Sequence, residues 1–400
     1  YICENQRAEP MKKYFLPLIY SLAIISGCGR TDEVNLLADR AFALAKTQYA
    51  QMDEALGDGQ FPKSTDSEGN LVTSDAGWWC SGFYPGALWY IYEYTGDVTF
   101  RELAWKHTRR LAVLKDRDTD HDIGFQINCS YGNGMRLTGD STDAALYVEC
   151  ARILAGRFTE ETGVTKSWNF LRNDWRYPVI IDNMMNLEIL TKAAEISGDS
   201  SLKDIAVRHA RTTLNNHFRE DWSCWHLVDY DPETGAVRSK ETVQGYSDGS
   251  SWARGQAWAL YGYTMMYRET GMEEFLEAAR NIGNMIMDRL PVDGIPYWDF
   301  DDPAIPEALK DASAGAIMAS AFIELSSLSG DSRYLETARR QLLTLGSEEY
   351  LANPGGNGCF ILKHGVGNIP GGTEIDVPLT YADYYFLEAL VRYSIISSEE

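Results

Sequence analysis

The chain has 400 residues, 44% of them hydrophobic, with 11 Trp and 23 Tyr, which is enough apolar surface for one large core. Its formal net charge of −22 argues against nucleic acid and against anionic membrane surfaces, because the global field repels both. An anionic ligand would need cations placed locally.

The N-terminal segment reads as an address. Residues 1–10 lie upstream of Met11 and look like an extension. From Met11, Lys12 and Lys13 form a basic region, Phe15 to Ile25 an apolar one, and Ile25-Ser26-Gly27 leads into Cys28. That is the pattern of a bacterial lipoprotein cleavage site. The expectation is a signal peptide over 11–27, a lipid on Cys28, a tether over 28–35 and a catalytic domain over 36–395. Such a protein touches the membrane only through its anchor and sits at the bacterial cell envelope. The other cysteines are scattered with no CxxC, so neither a disulfide framework nor a zinc site is expected.

A helix near Leu36–Met52 comes first. A repeated phrase then punctuates the chain: Tyr94-Thr-Gly-Asp97, Ile196-Ser-Gly-Asp199, Glu269-Thr-Gly-Met272 and Leu328-Ser-Gly-Asp331 each end an apolar helical run and precede a second, amphipathic one. Gly suits the left-handed position after a helix, and the Asp behind it can cap the next. Helical hairpins with first helices starting near Phe83, Thr142, Asp182, Ser251, Ala312 and Tyr381 predict an all-α fold, an (α/α)6 barrel of six inner and six outer helices. Its pocket lies at the mouth where inner helices start. The best strand candidate is Trp225–Tyr230, before the Asp231-Pro-Glu-Thr-Gly235 turn.

Polar and aromatic segments precede the inner helices. Asp182 follows Pro178-Val-Ile-Ile181; it is either an N-cap or a carboxyl held beside apolar side chains with a raised pKa. Asp122, next to His121, is either turn chemistry or a second carboxylate whose repulsion with Asp182 helps keep one of the two protonated. His226 is either a structural hydrogen-bonder or a mouth residue. Trp79, Trp168 and Trp258 are core packing or sugar-stacking plates.

The stretch from Gln244 to Trp258, QGYSDGSSWARGQAW, is a Gly-punctuated loop running into a helix. Ser251, Arg254 and Trp258 recur at i, i+3 and i+7 and so share one helix face; the bland alternative is an N-cap at Ser250 followed by a core Trp and a surface Arg. A cation beside an aromatic plate and the Gln244 amide suit an anionic sugar. No metal, calcium or phosphate-binding motif occurs. These residues point to a carbohydrate-active helical barrel with two carboxylates and do not name the reaction.

The combination of His121-Asp-Ile-Gly-Phe125, Ile181-Asp-Asn-Met-Met-Asn-Leu187, His226, Asp231-Pro-Glu-Thr-Gly235, the Gln244–Trp258 block and Tyr381-Ala-Asp-Tyr384 resembles glycoside hydrolase family 88, the unsaturated glucuronyl hydrolases. The resemblance runs from about Leu36 to Arg392. It implies Asp182 as general acid/base and Asp122 as second essential carboxylate. His121, His226, Gln244, Arg254, Trp258, Trp79 and Trp168 would be substrate contacts.

The implied partner is an oligosaccharide ending in a 4,5-unsaturated uronic acid, with no cofactor and no metal. The alternatives are the related family 105, which acts on pectin fragments, and a non-catalytic glycan-binding lipoprotein. The loop after His364 carries no Lys or Arg before Asp376 but does carry Glu374, which favours unsulfated over sulfated substrates.

Overall fold

Left-handed glycines divide the chain into helical hairpins. The structure, a computed structural model, describes residues 32–169 and 174–399, and the chain from Glu33 onward forms one compact unit. The expected signal peptide and Cys28 lie outside the described residues.

Helix α1 (Glu33–Ala55) precedes a hairpin of β1 (Phe61–Thr65) and β2 (Leu71–Ser74). Helix α2 (Phe83–Thr95) ends at Gly96, φ 69°, and Asp97 caps α3 (Val98–Arg110) by accepting the Thr99 N–H. Two short helices follow, α4 (Ile123–Ile127) and α5 (Asn133–Thr138), then α6 (Ala144–Ala155). Strand β3 (Pro178–Ile180) runs into a 3-10 turn over Ile181–Asn186. After it come α7 (Glu188–Ser197), α8 (Ser200–Asn216), β4 (Leu227–Tyr230) and β5 (Val237–Glu241). The C-terminal half contains α9 (Ala253–Thr270), α10 (Glu273–Arg289), α11 (Ala312–Ser329), α12 (Ser332–Leu345), β6 (Gly365–Asn368), β7 (Thr373–Val377) and α13 (Thr380–Glu399).

The expected punctuation works as chemistry. Gly198, Gly271 and Gly330 also end their helices with φ between 66° and 76°, a region where a Cβ is costly. Asp199 and Asp331 accept the Ser201 and Arg333 N–H groups. Met272 has no capping oxygen; there Glu273 and Glu274 in the first turn oppose the helix dipole instead. A further instance, Thr138-Gly139-Asp140, was not anticipated: Gly139 has φ 68° and Asp140 accepts the Thr142 N–H at 2.9 Å.

Two kinds of helix alternate. Residues 312–323 of α11 are buried without interruption, and α2 and α9 bury similarly long runs. The helices that follow them, α3, α10 and α12, bury one face, as an outer helix on an inner one should. Helix α11 packs between α9 and α13, α13 packs on α2, α7 lies against α6 and α9, and α1 covers α13.

Several expectations need correction. The all-α expectation is incomplete, because among the described residues three small antiparallel sheets (β1-β2, β3-β4-β5, β6-β7) accompany the helices. These strands are short, and β3 is buried at every position, so alternation gives no signal. The expected strand at Trp225 starts at Leu227. The helices expected at Thr142 and Ser251 start at Ala144 and Ala253, and Ser251 therefore precedes its helix. Ser250 is not a cap: its Oγ donates to Asp299 Oδ2 at 2.7 Å and accepts the Ser247 N–H at 3.0 Å, and Trp252 occupies the cap position without a capping bond. Asp182 is no cap either, lying inside the 3-10 turn.

Candidate active site

Strand register places the first candidate pair. In the β3–β4 ladder Ile180 lies opposite Leu227, and Ile181 N–H donates to the His226 carbonyl at 2.9 Å. The next residue, Asp182, therefore leaves the strand beside His226, and its Oδ2 lies 3.6 Å from His226 Nε2. The Val243 and Gln244 N–H groups donate to His226 Nδ1 at 3.1 and 3.3 Å. That nitrogen must accept, so the neutral ring carries its proton on Nε2, facing Asp182. Burial brings His226 down to about 3, which keeps it neutral at ordinary pH. Trp252 covers the ring at 4.5 Å between centroids.

Asp182 is 9% exposed. Burial pushes its carboxyl up to about 7, against the opposing influences of the Arg254 charge and a Trp258 hydrogen bond. A carboxylic acid poised near neutrality can both donate and retrieve a proton.

Asp122 comes from a different segment. It stands at the start of α4 but makes no capping bond with its side chain; the turn is closed by Asp120 Oδ1, which accepts the Asp122 N–H at 3.1 Å. The Asp122 carboxyl is therefore spared turn work. Burial, then the charges of Asp120 and Asp182, hold its pKa well above the usual carboxylate range. Asp182 is close enough to act on it, which places the two aspartates in one electrostatic site. His121, fully buried and brought down to about 3 by burial, has Nε2 3.3 Å from Asp122 Oδ1.

The docking of these two segments depends on Gly124. Asn186 Oδ1 accepts the Phe125 N–H at 2.7 Å, and a Cβ on Gly124 would stand 2.5–2.6 Å from Asn186 atoms. Only glycine permits that approach.

The block from Gln244 onward is held by Asp299, whose carboxylate accepts from Tyr246 N–H, Ser250 Oγ and Asp301 N–H at 2.7–2.9 Å. Arg254 is 1% exposed, stacked 4.4 Å over Trp252, and its guanidinium fork donates to the carbonyls of Val366 and Gly367. Asp311 Oδ1 accepts the Val366 N–H at 3.1 Å, so strand β6 is clamped from both sides. Gln244 Nε2 donates to the same Gly367 carbonyl at 3.1 Å.

The expected aromatic plates differ in what they can offer. Trp258 is fully buried against Phe125 and Tyr385 and presents no ring face to a sugar. Trp79 is half-buried against Tyr381, 4.9 Å away, and Phe125. Trp168 packs on Trp175 in a separate small cluster with Ile180 and Leu227.

Four residues that shape the site were not singled out from sequence: Gly124, Asn183, Asn186 and Trp252. Their signal was adjacency to Asp122, Asp182 and Arg254, but adjacency does not say which neighbour points inward.

The model of Glycosyl Hydrolase Family 88 matches residues 55–386. The chain belongs to glycoside hydrolase family 88. It is 45% identical to the unsaturated glucuronyl hydrolase of Formosa agariphila over 344 residues, 84% of this chain and 85% of that one. It is 32% identical to the unsaturated chondroitin disaccharide hydrolase of Streptococcus pyogenes serotype M1, over 83% and 85% of the two chains. The solved structure of an unsaturated glucuronyl hydrolase specific for heparin superposes with a TM-score of 0.89 at 42% identity, covering 91% of this chain and 98% of that one. This family 88 chain is accordingly a glycoside hydrolase.

Proposed function

We infer that this family 88 enzyme releases the 4,5-unsaturated uronic acid from the non-reducing end of lyase-generated oligosaccharides. The observation that carries the mechanism is Asp182: a buried carboxyl with a pKa of about 7, facing a neutral His226. The substrate's C4=C5 bond is a vinyl ether. Asp182 donates its proton to C4, and the ring oxygen stabilises the positive charge that develops at C5. Water attacks C5 and returns a proton to the Asp182 carboxylate. The resulting hemiketal opens and expels the neighbouring sugar. The bond cleaved is glycosidic while the chemistry is hydration. Asp122 stands beside Asp182 as the second carboxyl, and Arg254 and Gln244 act through the β6–β7 hairpin they hold.

The alternation of buried and amphipathic helices supports reading the fold as an (α/α)6 barrel, with this site at the mouth. The basic, apolar and Gly-Cys sequence of residues 11–28 supports a lipid anchor on Cys28 at the cell envelope.

The test is to incubate the protein with unsaturated disaccharides and follow the ultraviolet absorbance of the conjugated double bond. Loss of absorbance, with deuterium at C4 of the product in heavy water, is expected. Binding without loss would make the protein a receptor.

A further inference from the structure

Asn183, directly after Asp182, is fully buried. Its amide orientation is fixed, because Nδ2 donates to the Thr165 carbonyl at 2.7 Å. Thr165 is itself anchored: its N–H donates to Nδ1 of His209 on α8 at 2.9 Å. With the nitrogen committed, Asn183 Oδ1 points elsewhere, and it is buried with no partner of standard geometry among the described residues. His121 Nδ1 is buried and unsatisfied in the same sense, and Asn183 is the hydrogen-bonding side chain that acts on that ring. An amide oxygen only accepts, so the one hydrogen bond these two atoms could share is Nδ1–H donating to Oδ1. The neutral ring then turns its Nε2 lone pair toward Asp122 Oδ1, 3.3 Å away. A lone pair repels a carboxylate and accepts from a carboxylic acid.

We propose that Asn183 is a positioning residue that fixes His121 as its Nδ1–H tautomer and thereby holds Asp122 as a protonated, hydrogen-bond-donating acid beside Asp182. The proposal rests on the reading of Asp182 as the general acid/base. Its consequence is that the two neighbouring carboxyls carry one negative charge at most, and that charge belongs to the residue that exchanges protons with substrate.

The groups around the pair divide by sign. Asp120 and Asp182 favour a protonated Asp122, and Arg117 and Arg157 oppose it. Both arginines are spoken for, Arg117 by Asp120 at 3.1 Å and Arg157 by Asp118 at 2.5 Å. His209 and His226, which also sense the His121 ring, are held neutral by burial.

Without Asn183 the ring is free to adopt the Nε2–H tautomer and donate to an ionised Asp122. That new charge makes Asp182 harder to ionise, so activity persists to higher pH. In Asn183→Leu and Asn183→Ala the basic limb of the kcat profile should move up by roughly one pH unit, with kcat lowered about tenfold and KM nearly unchanged. The direct readout is the tautomer. Long-range proton–nitrogen spectra of the full chain, labelled with 15N-histidine, identify His121 by the signal lost in His121→Gln. A protonated Nδ1 in the unsubstituted protein, and a protonated Nε2 in folded Asn183→Leu, are expected. A protonated Nε2 in the unsubstituted protein overturns the proposal, as does an unmoved pH profile in a folded variant. If neither variant folds, the unsubstituted protein's tautomer decides alone. That spectrum needs no turnover, so an inactive protein would refute the assigned reaction and leave the tautomer result standing.

Discussion

Asp182 Oδ2 faces His226 Nε2 across 3.6 Å, slightly too far for a hydrogen bond, and both atoms are buried with no other hydrogen-bond partner among the described residues. Native interiors rarely leave two such atoms open. A substrate oxygen meeting either one would supply the missing bond, which is the opening the proposed reaction uses.

Asp182→Asn keeps the shape and removes the transferable proton. Turnover should fall at least about 10²–10⁴-fold, measured by the absorbance assay. Stability moves the other way. The folded Asp182 pKa of about 7 lies above its unfolded value, so the native protein loses stability between the two as pH rises and no further above them. Asn escapes that loss. Its stability advantage should grow from about pH 4 to 7 and then level off, at no more than about 4 kcal/mol. Urea melts at pH 4, 6 and 8 check this; equal differences at all three would refute a raised pKa.

For the unsubstituted enzyme, kcat should decline as pH rises through about 7, where Asp182 loses its proton. No limb should arise from His226, whose titration near 3 lies far below. His226→Gln should therefore lower activity while leaving the position of the basic limb in place, which a pH series on the variant measures.

Arg254→Lys should hurt almost as much as Arg254→Ala. The fork donates to two successive carbonyls, Val366 and Gly367, and a single ammonium cannot match that geometry. A loss of roughly 2–3 kcal/mol is expected, with faster amide exchange in the hairpin from Gly365 to Val377 and a raised KM. Near-normal kinetics in the Lys variant would show that the clamp is dispensable.

Gly124→Ala should disable the enzyme without touching a reacting group. Its Cβ would sit 2.5 Å from Asn186 Oδ1, driving the Asp122 segment away from the Asp182 segment. A stability cost of about 1–3 kcal/mol should come with a much larger proportional drop in kcat, compared by melting and turnover on one preparation.

Unsulfated unsaturated disaccharides should be preferred over sulfated ones. On the β6–β7 hairpin side the nearby cations are already engaged, Lys63 with Glu374 at 3.5 Å and Lys363 with the Glu348 carbonyl at 2.8 Å. Relative kcat/KM on a matched pair decides it, and equal or faster turnover of the sulfated sugar would assign specificity to another loop.

The sequence alone determined the helical hairpins, because a left-handed Gly and a capping Asp are local requirements written into neighbouring residues such as Gly198 and Asp199. It also marked Asp122, Asp182 and His226, whose motifs are contiguous. Tertiary structure decided what these residues do to one another. The 3.6 Å pairing of Asp182 with His226 follows from a strand register linking residues far apart in the chain, which no local pattern encodes. Burial by distant segments raises the Asp182 pKa, and the Gly124–Asn186 contact brings the second aspartate to it. Arg254 reads from sequence as a cation for an anionic sugar; packing gave its fork to the backbone of a strand more than a hundred residues away, because a buried guanidinium must satisfy its donors with whatever acceptors the fold brings near.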